Sequence, residues 1–275
     1  MAEIFVTGGQ GLVGSALVKQ GGIGFSRSQL DICNFDLVEK VIGEQKPHAV
    51  INAAAQANVN LADVETERSF LVNGEAVRNL AQVCKKHGVR LVHISTDYVL
   101  DSPDDLYEDF PTNPRSKYAE SKLLGEQQAL VHDAVVVRIQ WVYRPGYPNF
   151  FTNALQRLHR RQKLMLVDDQ IGSPTYVGLL AQGLLTCAKQ GATGLFHLAC
   201  QGEATAEQWI STAAKMLNLP LVYERASRLD FTGPYRPKRS CLNSDKFFQE
   251  WGFRLPDWQQ ALHQGIHECG RSWLD

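Results

Sequence analysis

A glycine-rich turn near the start of the chain most constrains what this sequence can fold into. Directly after the apolar run Ile4-Phe5-Val6 come Gly8, Gly11 and Gly14, and an amphipathic stretch follows them. In a strand–turn–helix unit, glycines at this spacing allow a tight turn, the close approach of a pyrophosphate and close packing of the helix. The amides at the helix N-terminus then attract the phosphates. Because a plain turn has no need of three glycines, the pattern predicts a dinucleotide-binding βα unit.

The hydrophobic pattern predicts a doubly wound α/β fold. Short, almost continuous apolar runs alternate with longer amphipathic stretches, as expected when helices cover both faces of a parallel sheet. The strand-like runs are 49–51, 91–94 and 135–137, and the helix-like stretches are 34–46, 67–86 and 116–131. Strand and helix in regular alternation indicate a Rossmann sheet.

The second half of the chain has a different composition. From about residue 141 it is richer in proline, glycine and aromatic residues, and helical patterns recur near 176–189, 205–217 and 257–269. We predict a dinucleotide-binding Rossmann domain over residues 1–140. Residues 141–275 would form mainly a smaller C-terminal α/β substrate-binding lobe, with some segments returning to the first domain.

Composition excludes several classes of partner and site. The formal net charge is −1, so no overall field favours nucleic acid or an anionic membrane. No apolar run approaches the roughly 20 residues of a membrane helix. The six cysteines include no Cys-x-x-Cys pair, and no metal-ligand spacing is present. We therefore expect reduced thiols, no metal, no nucleic-acid or membrane partner, and a cytoplasmic location.

The end of the second strand bears on the choice of dinucleotide. The stretch 22–27 is a weak strand that ends in Ser26 and Arg27, without a carboxylate. An acid at this point would bind the ribose 2′-hydroxyl of NAD, whereas a cation suits a 2′-phosphate. The sequence therefore favours NADP(H) over NAD(H). The alternative, that Arg27 is a solvated loop residue, stays open.

Three polar residues form a candidate catalytic set. Thr96 follows the run 91–94, and ligands of open parallel sheets bind beyond the carboxyl ends of the strands. Tyr118 and Lys122 are four residues apart, so they share one face of a helix. A lysine ammonium stabilises a tyrosinate, and a threonine hydroxyl can donate to a developing oxyanion. These residues predict proton delivery to a ketone during hydride transfer.

Several longer segments resemble one family. They are 8–14, 30–32, 52–55, 95–99, 118–122 with Gly125 and Glu126, 141–143, 167–175, and Arg236-Pro237 with Ser240 and Leu242. On these segments, which span almost the whole chain, the sequence resembles the dTDP-4-dehydrorhamnose reductase family of extended short-chain dehydrogenases. It departs from the family pattern mainly in the stretch 56–63, which is expected to face the substrate.

The resemblance implies roles for individual positions. Thr96, Tyr118 and Lys122 would be catalytic. The dinucleotide would contact Gly8, Gln10, Gly11, Leu12, Val13, Ser26, Arg27, Asp31, Ile32, Ala53, Ala54, Ala55, Tyr118 and Lys122. The substrate would contact Thr96, Asp97, Trp141 and Arg236, with Arg236 suited to a diphosphate. For Trp141 a core position at the domain seam is an equal alternative.

The family likeness implies reduction of the C4 ketone of dTDP-4-dehydro-L-rhamnose by NADPH or NADH. Tyr118 would supply the proton, Lys122 would tune it and Thr96 would orient the carbonyl. Two alternatives stay open: a reductase of another nucleotide sugar, and a non-catalytic dinucleotide-binding regulatory subunit. The choice between monomer and homodimer is also open.

Overall fold

A six-stranded parallel sheet forms the centre of the molecule. The computed structural model describes residues 3–102 and 104–275. The sheet contains β1 (Ile4–Thr7), β2 (Ile23–Phe25), β3 (Ala49–Asn52), β4 (Arg90–Thr96), β5 (Val135–Ile139) and β10 (Gly194–His197). Their order across the sheet is β10-β5-β4-β3-β1-β2. The predicted Rossmann fold is confirmed.

Helices and short strands complete the structure. The helices are α1 (Leu12–Lys19), α2 (Phe35–Gln45), α3 (Val59–Val64), α4 (Thr66–Phe70), α5 (Ala76–Lys86), α6 (Lys117–Val131), α7 (Phe150–His159), α8 (Val177–Lys189), α9 (Ala206–Met216), α10 (Asp245–Trp251) and α11 (Trp258–Cys269). The short strands are β6 (Val142–Tyr143), β7 (Leu164–Val167), β8 (Ile171–Gly172), β9 (Thr175–Tyr176), β11 (Ala204–Thr205), β12 (Tyr223–Ala226) and β13 (Arg239–Ser240). Among these helices none is long and apolar enough to span a membrane.

The central strands are apolar at successive positions because both faces of the sheet are covered. In β3, Val50 packs into the cluster formed with α2 and α5, while Ile51 packs into the cluster formed with α1 and α8. Successive strand residues point to opposite faces, so each face requires its own apolar side chains. A continuous apolar run in the sequence follows from this arrangement.

Local capping signals decide where the predicted helices begin. The Asn34 side chain accepts a hydrogen bond from the Leu37 amide, and the Ser116 side chain accepts one from the Ala119 amide. Both contacts satisfy amides that lack a partner within the helix. The prediction of one regular helix over 67–86 is wrong, because a π-helical turn (Leu71–Glu75) separates α4 from α5.

The second half of the chain contributes to two parts of the structure. Strand β10 pairs with β5 in the central sheet, and α8 packs on α1. The paired strands β7 and β12, the β11-β8-β13 sheet and helices α7 and α9 lie outside the central sheet. The division into domains at residue 140 stays a prediction.

Helix α6 packs unusually closely on the π-helical turn. A Cβ atom added to Gly125 would lie 1.9 Å from the carbonyl oxygen of Asn73. No side chain fits at this separation, so the helix can approach the turn only with glycine at this position. This contact positions the helix that carries Tyr118 and Lys122.

We expect Gly125→Ala to destabilise the protein by about 1–3 kcal/mol, because α6 must move away from the turn to relieve the overlap. Chemical denaturation measures the change. Gly43→Ala is the matched control, since Gly43 is also helical but its added Cβ would meet only the His87 ring, at 3.1 Å. Equal stability of the two variants would contradict the proposed role of the contact.

Candidate active site

The glycine turn borders a cleft of about 270 Å³. Gly8 has a φ of +64°, and a Cβ atom there would lie 2.8 Å from the Ala54 backbone. A Cβ atom on Gly14 would lie 2.1 Å from the Gly8 carbonyl oxygen. The turn therefore requires glycine at both positions to bring the N-terminus of α1 against the cleft.

The structure brings most of the predicted dinucleotide contacts together. The residues that line the cleft are Gly8, Gln10, Gly11, Ser26, Arg27, Leu30, Asp31, Ile32, Ala53, Ala54, Ala55, Gln56, Arg68 and Val72. Leu12 and Val13 are not among them, because their side chains pack against the core. They are the first residues of α1, so their backbone amides remain the groups suited to phosphate.

Arg27 lies at the cleft but is paired with an acid of the same loop. Its Nε atom is 3.0 Å from Asp31 Oδ2, and its side chain is 66% exposed. Partial burial opposes ionisation of Asp31, but hydrogen bonds from the Cys33 amide and from Arg27 hold its pKa below the usual value. Asp31 therefore orients Arg27, whose remaining guanidinium donors are available to a ligand.

A second cation at the cleft was missed in the sequence. Arg68 comes from α4 and lines the cleft, and its Nη1 atom is 3.0 Å from Glu65. Nothing in its local sequence distinguishes Arg68 from a surface arginine of a short helix. Only the packing of α4 beside the glycine turn places it there. The cleft thus has two guanidinium groups, Arg27 and Arg68, suited to phosphate.

Thr96 and Tyr118 meet at the carboxyl end of β4. The Thr96 hydroxyl donates to Asp97 Oδ1 at 3.1 Å and accepts from the Tyr98 amide at 3.3 Å. Burial raises the pKa of Tyr118 to about 12, although a hydrogen bond with Thr96 lowers it. Tyr118 also contacts Tyr98 edge-on, with ring centroids 5.6 Å apart. The two predicted proton-handling hydroxyls are therefore neighbours.

Lys122 is buried below this pair. It is 3% exposed, and its Nζ atom donates to the Ile94 carbonyl at 2.6 Å. Burial lowers the pKa of Lys122 to about 8, and the charge of Glu126 opposes this decrease. The ammonium therefore lies one helical turn below Tyr118, where its charge favours a tyrosinate.

Asp97 is buried beside Thr96. Burial raises the pKa of Asp97 to about 7, and hydrogen bonds from Ser240 and Thr96 oppose this increase. A charged Asp97 would also disfavour ionisation of Tyr118. The structure therefore brings the predicted residues Thr96, Asp97, Tyr118 and Lys122 into one cluster.

The other two predicted substrate residues lie on the second half of the chain. Trp141 has a φ of +41°, and its ring covers Gly172, where an added Cβ atom would lie 2.4 Å from the indole. This is the core-seam position considered for it. Arg236 is exposed, and its Nη2 atom donates to Asn60 Oδ1 at 3.2 Å. That bond joins Arg236 to α3, within the stretch that departs from the family pattern.

Comparison with known proteins identifies relatives over the full length. The family described as RmlD substrate binding domain matches residues 1–270. A dTDP-4-dehydrorhamnose reductase of Aggregatibacter actinomycetemcomitans is 33% identical, with 95% of this chain and 97% of the relative covered. A dTDP-4-keto-6-deoxy-D-glucose reductase of Streptomyces niveus is 32% identical, with 95% of each covered.

A solved structure also matches. The dTDP-4-dehydrorhamnose reductase of Bacillus anthracis, crystallised with NADP, superposes with a TM-score of 0.90 at 29% identity. The match covers 98% of this chain and 99% of that one.

We expect Arg27→Ala to weaken NADPH binding about tenfold and to change NADH binding little. The loss of one charge-assisted contact to a phosphate has roughly this effect. Fluorescence titration with each dinucleotide measures both Kd values. Arg78→Ala, an exposed arginine of α5 outside the cleft, is the control. Equal losses for the two dinucleotides would exclude a contact between Arg27 and the 2′-phosphate.

Proposed function

Because the chain belongs to the dTDP-4-dehydrorhamnose reductase family, we propose that it reduces the C4 ketone of dTDP-4-dehydro-L-rhamnose with NADPH, giving dTDP-L-rhamnose. The observation that supports this most strongly is the grouping of Thr96, Tyr118 and Lys122 at the end of β4. This edge of the sheet also carries the glycine turn and its cleft. Cofactor and ketone would meet there.

The cleft is suited to a phosphorylated dinucleotide. Its backbone at Gly8 and Gly11 lacks side chains, the N-terminus of α1 faces it, and Arg27 and Arg68 supply positive charge. The absence of a carboxylate directly after β2 agrees with NADP(H) rather than NAD(H). When bound, the reduced nicotinamide supplies the hydride.

Tyr118 would be the acid of the reaction. With its pKa raised to about 12 it is protonated at neutral pH, so it can donate to the ketone oxygen as negative charge develops there. The ammonium of Lys122 stabilises the tyrosinate that results. The Thr96 hydroxyl donates a second hydrogen bond to the same oxygen, which requires it to turn away from Asp97.

The substrate would lie between the end of β4 and the segment after β12. Arg236 is placed for the diphosphate, because its guanidinium is exposed beside Asn60 and its charge reaches Tyr98. Asp97 would contact the sugar next to Thr96. Trp141 would border the sugar while packing on Gly172. In this proposal residues 141–275 mainly bind substrate, as the predicted domain division implies.

A second substrate is supported by one comparison. The Streptomyces niveus relative is named for dTDP-4-keto-6-deoxy-D-glucose, which also has a C4 ketone. Here the stretch 56–63 includes the start of α3, and Asn60 contacts Arg236. A changed sugar-facing segment could therefore favour another ring configuration. The chemistry at Tyr118 would be the same for both sugars.

The test is reduction of both ketones by the purified protein. Each sugar is mixed with NADPH or NADH, and the loss of reduced-nicotinamide absorbance is followed. Faster turnover of the rhamnose precursor with NADPH supports the proposal. Preference for the D-gluco ketone would replace the substrate but retain the chemistry. Dinucleotide binding without turnover of either sugar would refute the reductase and favour the non-catalytic alternative.

We expect Tyr118→Phe to lower kcat by about 10²- to 10⁴-fold, because it removes the proton donor. Dinucleotide affinity should be nearly unchanged, since the phenyl ring remains. Stopped-flow assays and binding titrations measure the two quantities. Tyr107→Phe is the control, as Tyr107 is 48% exposed and lies outside the cluster. A variant with half of the wild-type kcat would exclude Tyr118 as the acid.

A further inference from the structure

A buried ion pair lies directly behind Lys122. Glu126 is 2% exposed and Arg138 is 1% exposed. Glu126 Oε2 accepts from Arg138 Nε at 3.0 Å, and Glu126 Oε1 accepts from Arg138 Nη2. Burying two charges is costly even when they are paired, and an apolar pair of similar size is often as stable. The pair therefore calls for an explanation beyond stability.

Glu126 and Lys122 are attached to consecutive residues of β4. Lys122 Nζ donates to the Ile94 carbonyl, and the Ser95 hydroxyl donates to Glu126 Oε2 at 2.9 Å. The next residue is Thr96. Since Lys122 and Glu126 are one turn apart on α6, these two contacts fix the helix face that carries the lysine against the strand that carries the threonine.

The strand register holds Arg138 in place. Arg138 on β5 is the register partner of Ser95 on β4 and of His197 on β10. Its Nη1 atom is 3.3 Å from His197 Nε2, and His197 Nδ1 is 3.1 Å from the Leu106 carbonyl. A ring nitrogen facing a carbonyl must carry the proton, so Nε2 accepts from Arg138. Every nitrogen of the guanidinium thus has a partner.

Glu126 is the acidic neighbour of Lys122 in this arrangement. The titratable and charged groups that face Lys122 are Tyr118 and Glu126 on α6, His93 on β4 and, behind Glu126, Arg138 on β5. Burial and the charge of Lys122 hold the pKa of His93 well below its usual value, so His93 is neutral. Glu126 therefore supplies the negative charge that favours the ammonium.

We infer that Glu126 is a positioning residue, which keeps Lys122 charged and directed at the Ile94 carbonyl while Ser95 and Arg138 hold the carboxylate. This inference rests on the proposed function, because it assigns Glu126 to the ketone-reducing site. It adds a further requirement to that site: Lys122 assists Tyr118 only as an ammonium, and burial alone opposes that state. The pair Glu126–Arg138 offsets the opposition from the interior.

The first test measures Lys122 directly and needs no substrate. The double variant Glu126→Leu with Arg138→Met removes both charges together, because the loss of Glu126 alone would leave a buried, unpaired cation. Lysine side-chain NMR titration, with Lys122→Met for assignment, follows the ammonium. The pKa of Lys122 should fall from about 8 by roughly one pH unit or more. An unchanged titration in the folded double variant would overturn the inference.

The second test is the pH dependence of kcat for the ketone. A lysine whose pKa is lowered loses its charge at lower pH. If the pKa of Lys122 falls by about one pH unit, kcat on the alkaline side should therefore fall about tenfold. Below both pKa values kcat should approach that of the wild type. A purely structural role would instead lower kcat by the same factor at every pH, and that result would also overturn the inference.

Two further variants make the test decisive. Glu126→Asp keeps the charge that Arg138 requires but withdraws the carboxylate, so it should lower the pKa of Lys122 by a smaller amount and serves if the double variant does not fold. Glu120→Gln is the matched control, because Glu120 is on the same helix but pairs with Lys117 at the surface. If the wild type reduces neither sugar, the proposed function fails, while the NMR titration still decides the role of Glu126.

Discussion

The attachment of α6 to the carboxyl end of β4 is the interaction on which the site depends. Lys122 and Glu126 contact the consecutive residues Ile94 and Ser95. These contacts are polar and buried, so water cannot replace them, and each group must keep its partner. Gly125 allows the helix to approach closely enough on its other side. The relative positions of Thr96, Tyr118 and Lys122 follow from this one docking.

A second set of polar contacts holds the neighbouring strands. Thr7, Asn52 and His93 are register partners across β1, β3 and β4. The Thr7 hydroxyl donates to Asn52 Oδ1 at 2.7 Å, and Asn52 Nδ2 is 3.1 Å from His93 Nδ1. Asn52 Oδ1 also accepts from the Ala54 amide at 3.2 Å, which orients the chain that borders the cleft. The sheet is therefore polar at its functional edge and apolar elsewhere.

The residues that were predicted and those that were missed differ in the range of their signals. Gly8 and Gly14, or Tyr118 and Lys122, are separated by a few residues within one turn or helix, so spacing alone indicates their proximity. Arg68, Glu126 and Arg138 reach the site through packing between distant segments. One signal was present: Arg138 ends the apolar run 135–137, and a charged residue in a buried strand requires a partner.

The sequence by itself determined the Rossmann fold, the cofactor turn and the catalytic trio, because strand periodicity, glycine spacing and helical spacing are local properties. The tertiary structure alone decided that α4 brings Arg68 to the cleft, that Arg236 contacts Asn60, and that Ser95, Arg138 and His197 form one row. These outcomes depend on strand register and helix docking between residues far apart in the chain. Such contacts arise only when the whole core is packed, so no local pattern encodes them.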